Sequence, residues 1–115
     1  MKKVLMADDD PGMMSLLKTL LDMDGYEVST LMDKTGDILE NIRAVNPDFL
    51  LIDIYLGDRN GMDVVRQIRQ TQDLKGIKIT MASGAAKAEE CLAAGADAFL
   101  LKPYMPDELL NILRA

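Results

Sequence analysis

Short apolar runs alternate with segments of helical periodicity along the whole chain, and this alternation constrains the fold more than any other feature. Runs of the length and composition of buried parallel strands cover 4–7, 26–30, 49–53, 77–82 and 98–101. Helical spacing of apolar residues fills the stretches between and after them. Strand–helix units repeated in this way within 115 residues predict one α/β domain, 1–115, with a parallel sheet covered by helices on both faces.

The helical segments also indicate which side chains face the core. In the first helix the predicted inward residues are Met13, Leu16, Leu17, Leu20 and Leu21. The fourth helix is alanine-rich and is predicted over about 86–94, with Gly95 as its stop. A last helix is predicted after Met105-Pro106-Asp107.

Composition excludes several classes of function. The net charge is −6, and an acidic domain lacks the excess of basic side chains that binds the phosphates of DNA or RNA, so we expect no direct binding of nucleic acid. The chain has no histidine, which removes histidine bases, Cys-His and Ser-His pairs and the usual zinc sites. No apolar run approaches membrane-spanning length, and acidic residues come too early for a secretory leader. We therefore expect a cytoplasmic protein without membrane insertion.

Polar groups follow four of the predicted strands directly. They are Asp8-Asp9-Asp10 after the first strand, Asp53 at the end of the third, Ser83-Gly84 after the fourth and Lys102-Pro103 after the fifth. The carboxyl ends of parallel strands meet at one edge of a sheet, where ligands bind in such folds. We therefore expect these groups to converge, although each one alone could be a solvated residue, a polar strand end or a helix cap. Asp10, followed by Pro11, is predicted to be such a cap.

Clustered carboxylates need positive charge among them. Two carboxylates about 4 Å apart repel by roughly 4 kcal/mol at an effective dielectric constant near 20. Lys102 supplies one positive charge, and a magnesium ion held by carboxylates, one carbonyl and waters would supply the rest. An aspartate flanked by a divalent cation, an ammonium group and a hydroxyl is equipped to accept a phosphoryl group.

In these residues the sequence resembles the receiver domain of response regulators, the phosphoacceptor module of two-component signalling. The resemblance covers essentially the whole chain and rests on several motifs in order: 4–10, 47–53, Asn60-Gly61, Ser83-Gly84, 94–97 and 99–103. It implies a flavodoxin-like, doubly wound (βα)5 fold with strand order 2-1-3-4-5. It also implies phosphorylation of Asp53 by the phosphohistidine of a sensor histidine kinase or a histidine phosphotransfer protein.

The resemblance assigns a role to each matching position. Asp8, Asp9, Asp53 and the carbonyl of Tyr55 would hold Mg²⁺. Lys102, joined to Pro103 by a cis peptide bond, would pair with the phosphoryl group. Ser83 and Phe99 would form the switch, although Phe99 could equally be core packing. A downstream protein target would bind the face made by the fourth helix, the fifth strand and the fifth helix.

The sequence departs from the family pattern at three places. Gly57 stands where the family usually has proline, and a flexible glycine is expected to loosen the loop that offers the Tyr55 carbonyl. The stretch 83–95 is shorter than in the family by about one helical turn. The chain contains no output domain, so we expect either a stand-alone receiver or part of a longer regulator. We also expect that Tyr55 partly shields the phosphoryl group from water, whereas Ala85 leaves one side open.

Two other functions remain open from the sequence. One is a receiver-like interaction module that works without phosphorylation. The other is an aspartate-nucleophile phosphohydrolase, although Tyr55 stands where such an enzyme carries its second acid. The preferred prediction is a switch that phosphorylates and dephosphorylates itself but turns over no separate substrate, and so is no enzyme in the ordinary sense.

Overall fold

The computed structural model of the protein describes residues 1–31 and 36–115. The fold is built from strands and helices that alternate along the chain. In chain order they are β1 (Lys3–Ala7), α1 (Pro11–Met23), β2 (Glu27–Thr30), α2 (Ile38–Val45), β3 (Phe49–Asp53), β4 (Tyr55–Leu56), β5 (Arg59–Asn60), α3 (Gly61–Arg69), β6 (Lys78–Ser83), α4 (Ala88–Ala94), β7 (Ala98–Leu101) and α5 (Pro106–Arg114).

The main sheet has five parallel strands in the order β2-β1-β3-β6-β7. Counted within this sheet, the order is 2-1-3-4-5, so the predicted flavodoxin-like topology is confirmed. The strand register aligns the carboxyl ends: Ala7 pairs with Ile52, Asp53 with Ala82 and Ser83 with Leu101. The polar residues that follow β1, β3, β6 and β7 therefore start from the same edge of the sheet.

Both faces of the sheet are buried, which explains why its strands are continuously apolar. Alternate residues of β1 show the arrangement: Leu5 and Ala7 pack towards α2, α3 and α4, whereas Val4 and Met6 pack towards α1 and α5. Each helix therefore covers one face with a single apolar stripe. Among the described residues no helix is long and apolar enough to cross a membrane.

Two details of the helices differ from the sequence predictions. Leu16 was predicted to face the core but is 48% exposed, because the buried stripe of α1 runs through Met14, Leu17 and Leu21. The fourth helix begins at Ala88 rather than near residue 86. The residues before Ala88 form a turn instead, in which the Lys87 amide donates to the Ala85 carbonyl.

An antiparallel hairpin after β3 was not predicted. Strands β4 and β5 pair Tyr55 with Asn60 and Leu56 with Arg59 around a two-residue loop. Gly57, the first residue of that loop, has a φ of 58°, a left-handed conformation that suits glycine at this position of a hairpin turn. Leu56 is fully buried and anchors the hairpin to the core.

Candidate functional site

The side chain of Lys102 joins two buried carboxylates at the carboxyl edge of the sheet. Its Nζ lies 2.8 Å from Asp8 Oδ2 and 2.5 Å from Asp53 Oδ2. The carboxylate of Asp8 is only 1% exposed and that of Asp53 is 10% exposed. Carboxylates withdrawn from water to this extent require a charged partner. Three residues separated widely in the sequence thus form one ion-paired cluster.

Backbone amides orient both carboxylates. The Tyr55 amide donates to Asp53 Oδ1 over 3.0 Å, and the Asp10 amide donates to Asp8 Oδ1 over 3.0 Å. In each aspartate the second oxygen faces Lys102. The carboxylates are therefore held from both sides, by their own loop on one side and by the ammonium group on the other.

The cluster keeps Lys102 charged. Burial alone would lower the pKa of its ammonium group, but hydrogen bonds to Asp53 and Asp8 and their negative charges together outweigh this effect. The pKa of Lys102 therefore lies above its ordinary value, and the side chain carries a positive charge throughout the physiological pH range.

The carboxylate of Asp9 is bonded to the hairpin that follows β3. Its Oδ2 accepts a hydrogen bond of 3.0 Å from the backbone amide of Gly57. Gly57 was predicted to loosen this loop relative to proline; its backbone amide, a donor that proline lacks, bonds the loop to Asp9. Within the described ranges, no three acidic, histidine or cysteine side chains stand close enough together to hold a metal ion as arranged.

Gly61 allows the backbone to pass close behind Asp53. A Cβ atom at Gly61 would lie 2.2 Å from the Asp53 carbonyl oxygen, so only glycine fits there. Asn60, just before it, caps α3 by accepting a hydrogen bond from the Met62 amide. The Asn60-Gly61 motif therefore begins α3 in close contact with the backbone of Asp53, the candidate acceptor.

Ser83 is fully buried at the end of β6, and its Oγ accepts a hydrogen bond from the Ala85 amide. It does not cap α4, whose preceding residue Lys87 makes no side-chain cap. The Ser83 carbonyl accepts a 2.8 Å hydrogen bond from the Lys102 amide, which joins the hydroxyl-bearing and lysine-bearing strand ends. The Lys102–Pro103 peptide bond is cis, as expected.

Phe99 and Tyr55 occupy different environments. Phe99 is partly buried and packs against the core beneath α2, α3 and α4. Because Ser83 pairs with Leu101, two residues after Phe99, both side chains lie on the same face of the sheet. The Tyr55 side chain, two residues after the candidate acceptor Asp53, is 59% exposed. Asp10 caps α1 as predicted, accepting from the Met13 amide.

Tyr104 is a residue of this region that sequence reasoning missed. It follows Lys102-Pro103 directly, and its side chain is buried, at 4% exposure. Burial and then the charge of Asp8 are the main causes that raise the pKa of its hydroxyl to about 12. The available signal was an aromatic residue immediately after the Lys-Pro pair, outside any periodic run.

The fold, the strand order and the polar edge match one family. Its model, described as the response regulator receiver domain, matches residues 4–114. The chain belongs to the response regulator receiver family. It is thus the receiver domain of a two-component response regulator, and such domains typically serve signalling rather than catalysis.

Curated relatives of this receiver domain are longer proteins. Over 115 residues it is 36% identical to the transcriptional regulatory protein CpxR of Klebsiella pneumoniae, covering all of this chain and 49% of that protein. It is 30% identical to the DNA-binding response regulator MtrA of Mycolicibacterium smegmatis, covering 99% of this chain and 50% of that protein. The chain therefore spans about half the length of these relatives.

Solved receiver structures superpose over nearly the whole domain. The chemotaxis response regulator CheY4 of Vibrio cholerae has a TM-score of 0.88 at 29% identity and covers 99% of this chain and 97% of its own. A putative response regulator of Chloroflexus aurantiacus has a TM-score of 0.87, also at 29% identity, with coverage of 98% and 94%. The receiver fold is therefore matched over nearly the whole length of both chains.

Proposed function

We propose that this receiver domain is a phosphorylation switch whose acceptor is Asp53. The donor is a phosphohistidine of a sensor histidine kinase or a histidine phosphotransfer protein. The observation that carries the proposal is the ammonium group of Lys102 shared between Asp53 and Asp8. This arrangement presents a carboxylate nucleophile with a fixed positive charge beside it, which phosphoryl transfer requires.

In the transfer step, a carboxylate oxygen of Asp53 attacks the phosphorus atom. The bond between phosphorus and the donor's imidazole nitrogen breaks, and its electron pair stays on that nitrogen. Lys102 shifts its hydrogen bonds towards the phosphoryl oxygens and neutralises part of their charge. Hydrolysis later returns Asp53 to the carboxylate and releases inorganic phosphate, so the domain consumes no substrate other than its own phosphoryl group.

The donor set at this edge fits a magnesium ion. Asp8, Asp9 and Asp53 offer carboxylate oxygens. Tyr55 offers its backbone carbonyl from the loop that follows Asp53, and the backbone amide of Tyr55 is already bonded to the Asp53 carboxylate. These are the hard oxygen ligands that Mg²⁺ prefers. When bound, Mg²⁺ supplies positive charge next to the phosphoryl oxygens. Asp9 would turn from Gly57 or share one oxygen with it, and Lys102 would yield part of its contact with Asp8.

Ser83 and Phe99 are proposed to relay the change. Ser83 carries the hydroxyl at the carboxyl end of β6, and among the described residues this hydroxyl is bonded only to the Ala85 amide. On phosphorylation it would donate to a phosphoryl oxygen instead. Phe99 lies on the same face of the sheet, and a change of its rotamer would carry the movement towards α4.

The output surface is proposed to be the face of α4, β7 and α5. Three large apolar side chains are exposed on these elements or beside them: Leu92 at 49%, Leu101 at 51% and Met105 at 68%. A contiguous exposed apolar patch is typical of a protein-binding surface, and we propose that these three side chains belong to one. We therefore infer a downstream protein target in the cytoplasm, with no direct contact between this domain and nucleic acid.

The lifetime of the phosphoryl group is proposed to depend on Tyr55 and Ala85. Tyr55 follows Asp53 by two residues and its side chain is exposed, and Ala85 follows Ser83 by two residues. The ring of Tyr55 would hinder the approach of water to the phosphoryl group, whereas the small side chain of Ala85 would leave one side open. Replacing Tyr55 with alanine should therefore speed dephosphorylation. An unchanged rate in Tyr55→Ala would refute this part of the proposal.

Intact-mass spectrometry with acetyl phosphate and Mg²⁺ tests the central proposal. We expect the mass of a single phosphoryl group to be added to the wild-type chain, and none to Asp53→Asn. Asp63→Asn is the matched control, because Asp63 lies on the surface of α3 and, in the part of the chain that the structure describes, pairs only with Arg66. Labelling of Asp53→Asn would reject Asp53 as the acceptor. Sustained turnover of a small phosphate ester by the wild type would favour a phosphohydrolase instead.

A further inference from the structure

Helix α1 carries a second apolar stripe beside the one that packs on the sheet. The members of this second stripe are Met13, Leu16, Leu20 and Met23. Their spacing of 3, 4 and 3 residues places them along one side of the helix. Leu16 is 48% exposed and Met23 is 80% exposed, whereas the other two are partly buried. In the part of the chain that the structure describes, much of the second stripe is therefore uncovered.

The charged residues of α1 leave the second stripe neutral. Lys18 and Asp22 pair with each other, with 2.9 Å between the ammonium nitrogen and the carboxylate oxygen. Lys18 stands two residues from both Leu16 and Leu20, which places it on the opposite side of the helix. An exposed, uncharged stripe with this spacing is the pattern by which one helix packs along another. The second stripe therefore suits a helix as its partner.

The order of its side chains fits another copy of the same helix. Met-Leu-Leu-Met is the same in both directions about the midpoint at position 18. In an antiparallel pair related by a two-fold axis, Met13 faces Met23 of the other copy. Leu16 faces Leu20 in the same way, and each contact is made twice. Apolar side chains of similar size therefore meet along the whole stripe.

The charges at the two ends of α1 complement each other in the antiparallel arrangement. Asp10 is exposed at the start of α1, and Arg114 is half exposed beside the end of α1, where it pairs with Asp24 at 2.8 Å. Antiparallel pairing brings the acidic start of each helix towards Arg114 of the other copy. It also sets the positive end of one helix dipole beside the negative end of the other. A parallel pair would place Asp10 beside Asp10 and lose both attractions.

The size of the helix limits the strength of this contact. With 13 residues, α1 is about 20 Å long and about 10 Å wide. It therefore covers a strip of about 200 Å² on each copy, well below the roughly 800 Å² per partner of a stable interface. We expect a weak, reversible dimer that is populated only at high protein concentration.

We propose that the second stripe is a self-association surface, through which two copies of this chain pair their α1 helices antiparallel. Helix α1 covers the sheet face opposite to α4, so the pairing leaves Leu92 of the proposed output surface open. The stripe contains no residue of the ion-paired cluster of Asp8, Asp53 and Lys102. The inference therefore does not depend on the proposed function.

Sedimentation equilibrium from micromolar to millimolar concentration measures the pairing. We expect the average mass of wild type to rise from that of one chain towards that of two. Leu16→Lys sets an ammonium group against Leu20 of the other copy and should raise the dissociation constant about tenfold or more. An equal mixture of Leu16→Lys and Leu20→Glu should dimerise again, because antiparallel pairing sets the introduced ammonium group against the introduced carboxylate.

Urea unfolding shows which variants are folded, and Met23→Lys, at the most exposed position of the stripe, is a second variant that should weaken the dimer. Leu92→Lys is the matched control, since Leu92 is 49% exposed on α4 and so matches Leu16 in exposure. It should dimerise as wild type does. A wild-type chain that stays monomeric at millimolar concentration overturns the inference, and the stripe would then contact a different protein or none. A dimer that Leu16→Lys and Met23→Lys leave intact, or one weakened equally by Leu92→Lys, also overturns it. A folded mixture of Leu16→Lys and Leu20→Glu that stays monomeric overturns the antiparallel pairing.

Discussion

The backbone amide of Gly57 donates a 3.0 Å hydrogen bond to the carboxylate of Asp9, joining loops that are 48 residues apart in the sequence. The hairpin places this amide, because Gly57 lies in the turn between the paired residues Leu56 and Arg59 and adopts a left-handed conformation there, with φ of 58°. A proline at this position could neither donate the bond nor adopt the conformation. In this receiver domain the hydrogen bond from Gly57 to Asp9 therefore holds the loop in place.

Gly57→Ala should destabilise the domain by about 1–2 kcal/mol, because a left-handed conformation costs a residue with a Cβ atom roughly this much. Space is not the cause, since a Cβ atom at Gly57 would meet nothing within 4 Å. Gly76→Ala is the matched control: it also has open space but no positive φ, so it should be neutral or slightly stabilising. Urea unfolding measures both, and equal effects would contradict the assignment of strain to Gly57.

The charge of Lys102 makes stability depend on alkaline pH. The pKa of this ammonium group is raised in the folded domain: burial opposes the charge, but the hydrogen bonds and charges of Asp53 and Asp8 outweigh it. A raised pKa means that the stabilisation is complete below the unfolded value, about 10.4, and is lost as the pH rises through the folded value. We therefore expect the free energy of unfolding to fall above about pH 10.

Urea unfolding at several alkaline pH values measures this dependence. In Lys102→Gln the free energy of unfolding should decrease less between neutral and alkaline pH, because the ion pairs of Lys102 with Asp8 and Asp53 are absent. Lys78→Gln is the control, because Lys78 is exposed at the start of β6, at the opposite edge of the sheet from the cluster. If Lys102→Gln retained the full wild-type pH dependence, the fall would have another origin.

The sequence predicted the parts of this domain that depend on burial. A strand covered on both faces must be apolar at every position, so runs such as 49–53 located the sheet, and the polar residues after each run located the site. The resemblance to a family then gave the strand order. The hairpin had no such signal, because its strands are two residues each and only Leu56 in them is buried.

Other features were missed because they depend on tertiary contacts. Leu16 fits a helical stripe by spacing, but the sheet selects a neighbouring stripe of α1 through Met14 and Leu17. The hydrogen bond between Gly57 and Asp9 requires two loops to meet, and the sequence of either loop alone does not predict it. The Tyr104 hydroxyl, which has no hydrogen-bond partner among the described residues, likewise follows from tertiary packing.

Gly61→Ala should damage both stability and phosphoacceptance. A Cβ atom there would lie 2.2 Å from the Asp53 carbonyl oxygen, and backbone must move to relieve such a clash, at a cost of about 1–3 kcal/mol. The movement would displace Asp53, the proposed acceptor. We expect slower labelling by acetyl phosphate in intact-mass spectrometry together with the lower unfolding free energy.

Gly84→Ala is the control for Gly61→Ala. Gly84 lies at the same edge of the sheet, next to Ser83, but a Cβ atom there would meet nothing within 4 Å, and its φ is not positive. It should therefore leave the labelling rate near that of wild type. If both variants were labelled equally slowly, any added methyl group at this edge would slow labelling. The clash with the Asp53 carbonyl would then not be the cause.

Arg69 ties the end of α3 to the loops on either side of β6. Its guanidinium donates to the carbonyls of Gly95, Lys75 and Ile77 at 2.7–2.8 Å and to Asp97 at 2.8 Å, with 22% of the side chain exposed. Arg69→Ala leaves these acceptors without their donor and should cost about 3 kcal/mol.

Arg66→Ala is the matched comparison, one turn earlier on α3. Within residues 1–31 and 36–115, Arg66 pairs only with Asp63, and it is half exposed, so its loss should cost less than about 1 kcal/mol. Urea unfolding of both variants measures the difference. Arg69→Lys should recover little, because a single ammonium group cannot reach acceptors arranged around a planar guanidinium. Similar losses in Arg69→Ala and Arg66→Ala would mean that surface charge, rather than the bonded carbonyls, accounts for the effect.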